Sequence, residues 1–155
     1  MNGRREMLKH SSAVASLMLL AGAWPAVSFA QGEAYAKAAF DARSMAELTK
    51  ALGIPAPVES KDITLQAPDI AENGAVVPLG ATATLAGVKR MLIMVEKNPA
   101  ILAAMFDLTD GVEPSISTRA KMGQSSNVYA VAVMNDGKTL FAVKEVKVTL
   151  GGCGG

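Results

Sequence analysis

The chain has 155 residues, half of them hydrophobic and 19% charged, with a formal net charge of +1. This is the length of one domain with a packed core; the composition excludes a disordered chain, and the near-zero charge argues against nucleic acid as the main partner. One Cys and one His exclude an internal disulfide and any zinc or iron–sulfur site built from several cysteines.

Residues 1–30 have the make-up of an export signal. Arg4, Arg5 and Lys9 form a basic start, and residues 11–23 follow as an apolar, small-residue run. That run is too short to span a bilayer. Ser28 and Ala30 are small residues placed for cleavage before Gln31. The adjacent Arg4 and Arg5 resemble the pair of a twin-arginine signal, a route that carries folded cargo. No Cys follows the expected cut, so a lipid anchor is not expected, and a periplasmic protein is. Without residues 1–30 the net charge changes from +1 to −1, and His10 and Trp24 are lost. The remainder then has no His for a catalytic triad, a haem or a His-bearing zinc site. A folded export substrate with no ligand set for a cofactor suggests that the cargo includes a second subunit.

Residues 33–52 predict a helix rich in Ala, Leu, Lys and Glu, with Met45, Leu48 and Leu52 spaced for one face. Ser44 and Glu47 have capping-box spacing, so the helix can break and restart there. Gly53 and Pro55 end it. This helix lies on the side of the domain or serves as a partner-binding face. Residues 54–57, Ile-Pro-Ala-Pro, form a stiff connector.

From Asp62 the pattern is β. Ile63, Thr64 and Leu65 predict a short strand ended by Pro68, and residues 72–74 supply a turn. Residues 76–79 and 81–85 follow as two pieces, with Pro78 and Gly80 marking an edge or bulge. Residues 88–95 contain a five-residue apolar run, the signature of a strand buried on both faces. Asn98 and Pro99 break it. Residues 100–108 are ambiguous between strand and helical turn, and residues 115–122 alternate around Ile116. Residues 128–134 and 138–150 flank Asn135, Asp136 and Gly137, the composition of a tight hairpin. Val146, Val148 and Leu150 should then face the core, with Glu145, Lys147 and Thr149 facing out. About six or seven short strands between 62 and 150 predict a mainly β fold, an antiparallel immunoglobulin-like sandwich after one N-terminal helix. The expected division is 1–30 signal, 31–57 helix and connector, 58–150 sandwich and 151–155 tail. Met91, Met94, Met105, Met122 and Met134 are expected as core filler. Arg119, Lys121, Lys144 and Lys147 make either an anion-attracting patch or ordinary solvated strand faces.

The chain ends Gly151-Gly152-Cys153-Gly154-Gly155. Four glycines give no side chain to pack and wide backbone freedom, so a mobile arm is expected. From Leu150 the thiol reaches at most about 10 Å. With no charged neighbour in sequence it should titrate near its ordinary value of about 8.5. Cys153 therefore suits attachment of a substrate better than catalysis. The residues leave other readings open. The tail can be a plain disordered end, or Cys153 can make an intermolecular disulfide on an immunoglobulin-like interaction module. A ubiquitin-like sulfur carrier would instead use the carboxylate of Gly154-Gly155.

The tail, with the preceding Lys144-Glu145-Val146-Lys147-Val148-Thr149, resembles the C-terminus of the SoxY family, sulfur-carrier subunits of bacterial thiosulfate oxidation. Ala67-Pro68, residues 71–75, Val77-Pro78, residues 96–99, residues 118–122 and residues 136–138 resemble the family in the same order. Gly80 and Ala120 stand where bulkier apolar residues are expected. The resemblance implies a non-enzymatic carrier with Cys153 as the covalent attachment site and Gly151, Gly152, Gly154 and Gly155 as its swinging arm. It implies no cofactor beyond sulfur intermediates on Cys153. It implies a heterodimer with a SoxZ-like subunit, and service by three enzymes. These are a c-type haem enzyme that conjugates thiosulfate, a hydrolase that releases sulfate and, where present, a sulfane dehydrogenase.

Overall fold

The computed structural model describes residues 36–150. The signal with Arg4 and Arg5, the first residues of the expected helix, and the tail with Gly151, Gly152, Cys153, Gly154 and Gly155 lie outside the described residues.

The expected helix is two helices, α1 (Lys37–Phe40) and α2 (Met45–Leu52). The restart is at Ser44, whose backbone is extended and whose hydroxyl accepts the Glu47 N–H. Glu47 in turn accepts the Arg43 N–H at 2.8 Å, so two otherwise orphaned amide groups are satisfied. Gly53, at φ +63°, closes α2 in the left-handed conformation that costs glycine least.

Nine strands follow: β1 (Val58–Glu59), β2 (Ile63–Gln66), β3 (Ile70–Ala71), β4 (Val77–Ala83), β5 (Val88–Val95), β6 (Leu102–Asp107), β7 (Ser115–Ala120), β8 (Ser126–Met134) and β9 (Thr139–Val148). They form two layers. The larger sheet runs β1-β9-β8-β5-β6, with β3 also on β9, and the smaller runs β2-β4-β7. The long pairings are antiparallel, giving an immunoglobulin-like sandwich.

Alternation along β5 explains the two cores. Met91, Ile93 and Val95 face the smaller sheet, meeting Leu79, Ala81 and Met122. Leu92 and Met94 face the opposite way, against Ala39, Ala42 and Leu48 of the helical segment. The run predicted to be buried on both faces is so buried. Each such Leu, Ile or Met contributes about 1.5–3 kcal/mol by leaving water. Met91, Met94, Met122 and Met134 are buried and Met105 packs partly against the second core, so all five fill space.

Four features differ from the sequence reading. Residues 76–79 and 81–85 are not two strands but the single β4, the middle strand of its sheet, with its register unbroken at Gly80. A Cβ at Gly80 would lie 2.9 Å from Gln66 Oε1 and 3.3 Å from the Ile116 carbonyl, so the close approach of its neighbours explains the glycine. Pro78 lies past Gly80, the last β4 residue paired with β2, and only β7 runs beside it there. Second, residues 100–108 resolve as a strand, β6. Third, β1 and β3 were not anticipated, and both pair parallel to β9. Fourth, β9 ends at Val148, and Leu150 is 70% exposed rather than turned into the core beside fully buried Val146. The cause is that β8 begins at Ser126, opposite Val146, so beyond that pair the chain has no β8 neighbour.

Candidate functional site at the root of the C-terminal tail

With Cys153 outside the described residues, the describable part of the site is the point where the tail leaves the fold. Strand β9 delivers it. The turn after β8 forms as its composition predicts: Gly137 has φ +88° and its N–H donates to the Met134 carbonyl at 3.1 Å. From there β9 runs along β8 to Val148, and the described chain ends two residues later at Leu150.

Those last residues are held from two sides. On one side the segment 69–74 lies alongside as a strap. Lys147 N–H donates to the Asp69 carbonyl (3.0 Å) and Thr149 N–H to the Ala71 carbonyl (3.1 Å). The Thr149 hydroxyl donates to the Glu72 carbonyl (3.1 Å), and Gly74 N–H donates to the Leu150 carbonyl (2.8 Å). On the other side Val148 N–H donates to Ser125 Oγ at 2.9 Å. The turn at Asn73 is closed by its side chain, which accepts the Ala75 N–H. Gly74 also accepts the Met122 N–H at 2.7 Å, which ties the strap to the end of β7 in the smaller sheet. Asn73-Gly74 is therefore more than the bare turn its composition suggests.

Lys144 secures the start of the strap. Its ammonium donates to the Ala67 carbonyl (2.6 Å) and pairs with Asp69 Oδ1 (2.9 Å). The hydrogen bond from Lys144, with its charge, holds the Asp69 carboxyl below the usual carboxylate range. Lys144 is thus committed to a structural contact, and does not join Arg119, Lys121 and Lys147 in an open patch. Those three remain exposed.

Away from the root, Tyr129 stacks at a tilt on Phe141, with ring centroids 5.7 Å apart. Burial, then the Glu96 charge, raise the pKa of its phenol. Among the described residues no group of three His, Cys, Asp or Glu is placed to hold a metal ion. No described helix is long and apolar enough to cross a membrane. Sequence reasoning passed over Ser125 and the strap. The available signals were a serine pair opening an apolar strand and a proline, Pro68, that stops β2 just before the strap.

The family model described as "Sulfur oxidation protein SoxY" matches residues 48–153. The structure of the sulfur carrier protein SoxY from Chlorobium limicola f thiosulfatophilum is 33% identical, with a TM-score of 0.60, covering 70% of this chain and 100% of that one. A superoxide reductase (neelaredoxin) from Ignicoccus hospitalis is 16% identical at TM-score 0.50, covering 56% of this chain and 78% of that one. A putative superoxide reductase from Thermotoga maritima is 10% identical at TM-score 0.52, covering 59% and 93%. These two share the fold alone. Comparison with curated protein sequences gives no match. The family match over two thirds of the sequence and the 33% identity to a whole SoxY chain agree: the protein belongs to the SoxY family.

Proposed function

We propose that this protein is a covalent sulfur carrier of periplasmic thiosulfate oxidation, and that Cys153 is its attachment site. The observation that supports this most directly is the family match, whose last residue is the chain's one cysteine. Gly151, Gly152, Gly154 and Gly155 present that thiol as a thin arm able to enter a narrow cleft. The carrier has no catalytic apparatus of its own; activation comes from the enzymes it visits.

Thiosulfate joins the thiol through a new S–S bond, releasing the thiol proton to water and two electrons to the haem of the conjugating enzyme. Hydrolysis of the resulting S-thiosulfonate then releases sulfate and two protons, without redox change, and leaves a sulfane sulfur on Cys153. Where a sulfane dehydrogenase is present, it removes six electrons from that sulfur with three waters, giving an S-sulfonate. Hydrolysis frees the thiol. A SoxZ-like subunit completes a heterodimer, and residues 1–30 with Arg4 and Arg5 direct export of the folded pair by the twin-arginine route.

The test is thiosulfate-dependent electron release in the presence of the conjugating enzyme. Cys153→Ser should abolish it while leaving the unfolding temperature and subunit association unchanged. Retained electron release would exclude Cys153 as the carrier. Sulfur found instead on the terminal carboxylate would favour the ubiquitin-like mode.

A further inference from the structure

We propose that Ser125, Thr149 and the strap of residues 69–74 are positioning residues, which fix the launch point of the tail at Leu150 and so set the reach of Cys153. This rests on the carrier reading of Cys153.

Leu150 is 70% exposed, and Ile70 of the strap, opposite Lys147, is 58% exposed. Strand β8 has ended at the Ser126–Val146 pair, and past it the sheet neighbour is β3, paired only at Lys147 and Val148. A strand end with exposed side chains and only a two-residue sheet neighbour normally frays. Here it is tied by five hydrogen bonds over four residues, donated by Lys147 N–H, Val148 N–H, Thr149 N–H and the Thr149 hydroxyl and, in the fifth, accepted by the Leu150 carbonyl. The Gly74 carbonyl, through Met122 N–H, extends the tie to the other sheet. Val148 still packs against the core beside buried Ala71, but past it Thr149 and Leu150 are exposed, and polar contacts hold them where packing does not. The effect is on the tether. A thiol three residues past Leu150 reaches about 10 Å, whereas a launch point retreating to Lys147 doubles that to about 20 Å. A longer tether spreads the thiol over a larger volume and lowers its effective concentration at a docked enzyme's reacting centre.

The experiment compares the full chain with a Ser125→Ala/Thr149→Val variant, using the thiosulfate-conjugating enzyme and a small aromatic disulfide as thiol probe. Amide exchange at Val148 and Thr149 should accelerate about tenfold or more. The KM for the carrier should rise about three- to tenfold, with kcat less affected. The rate with the small probe should not change, because that reagent needs no docked geometry. Inserting two glycines after Leu150 lengthens the tether without touching the clamp, and should raise KM in the same direction. The proposal is overturned if exchange accelerates and KM stays at the parent value. It is equally overturned if exchange does not respond to the double substitution, or if the insertion leaves KM unchanged. A Cys153→Ser protein that still accepts sulfur would instead refute the carrier reading, and the two failures are distinct.

Discussion

Residues 91–95 of β5 are each at most 1% exposed, while Leu150, two residues past the end of β9, is 70% exposed. Both segments are ordered, by different forces. The first is held by burial on two faces, a non-directional force proportional to area. The second is held by hydrogen bonds whose net worth is about 1 kcal/mol each. Burial makes a segment costly to disturb and indifferent to small polar changes. Hydrogen bonds at a solvated strand end make it cheap to open and sensitive to single atoms. A carrier needs the first property for its body and benefits from the second where its C-terminal tail begins.

The largest effect should come from β5. Leu92→Ala removes the side chain that joins the sheet to Leu48 and the helices, and should cost about 2–5 kcal/mol in urea unfolding. Exchange at Val148 and Thr149 should rise only in step with global unfolding. A smaller effect is expected at Gly80, where Ala should cost about 1 kcal/mol because its Cβ crowds the Gln66 amide and the Ile116 carbonyl. Gln66→Ala should recover part of that loss, measured as a double-mutant cycle. Equal losses in both Gly80 backgrounds would place the strain on the backbone contact alone.

At the buried end of β9, Thr139 is 3% exposed, and among the described residues its hydroxyl has no hydrogen-bond partner. Thr139→Val should therefore stabilise, by up to about 1 kcal/mol. A destabilised variant would show that the hydroxyl is satisfied in solution.

The smallest effect is confined to the strap. The Asp69 carboxyl is held below its ordinary value of 3.8 by Lys144. A depressed carboxylate pKa stabilises the folded contact above the ordinary value, and that contribution is lost as pH falls through the lowered one. Exchange at Ile70 and Thr149 should thus be insensitive to this group from neutral pH down to about 5, after correction for intrinsic rates, and should accelerate only in the acid range below it. Asp69→Asn should remove the acid step. An acid step that persists in Asp69→Asn would assign it to another group.

Much of the body was legible from the sequence because its signals are periodic. The apolar run in β5 gave a strand buried on both faces, Ser44 and Glu47 marked the helix restart, and Asp136-Gly137 marked the last hairpin. The candidate site is read in the sequence as a motif around Cys153, which lies outside the described residues, and its root is not readable there as a geometry. Its root depends on β3, two residues long, and on backbone carbonyls whose partners are set by tertiary placement rather than by side-chain type. Leu150 shows the limit of periodicity. Its parity matches Val146, but alternation implies burial only while a neighbouring strand continues. Gly80 was misleading for a related reason. Glycine in a strand commonly signals a bulge, whereas here it admits the Gln66 side chain over an unbroken ladder.

The most direct test of the central claim is the intact mass of the protein from cells oxidising thiosulfate, taken without reductant and again after adding one. The account predicts reductant-labile increments of sulfur and sulfonate on the C-terminal peptide, absent from Cys153→Ser. An unmodified mass, or a disulfide-linked dimer as the sole labile species, would contradict it.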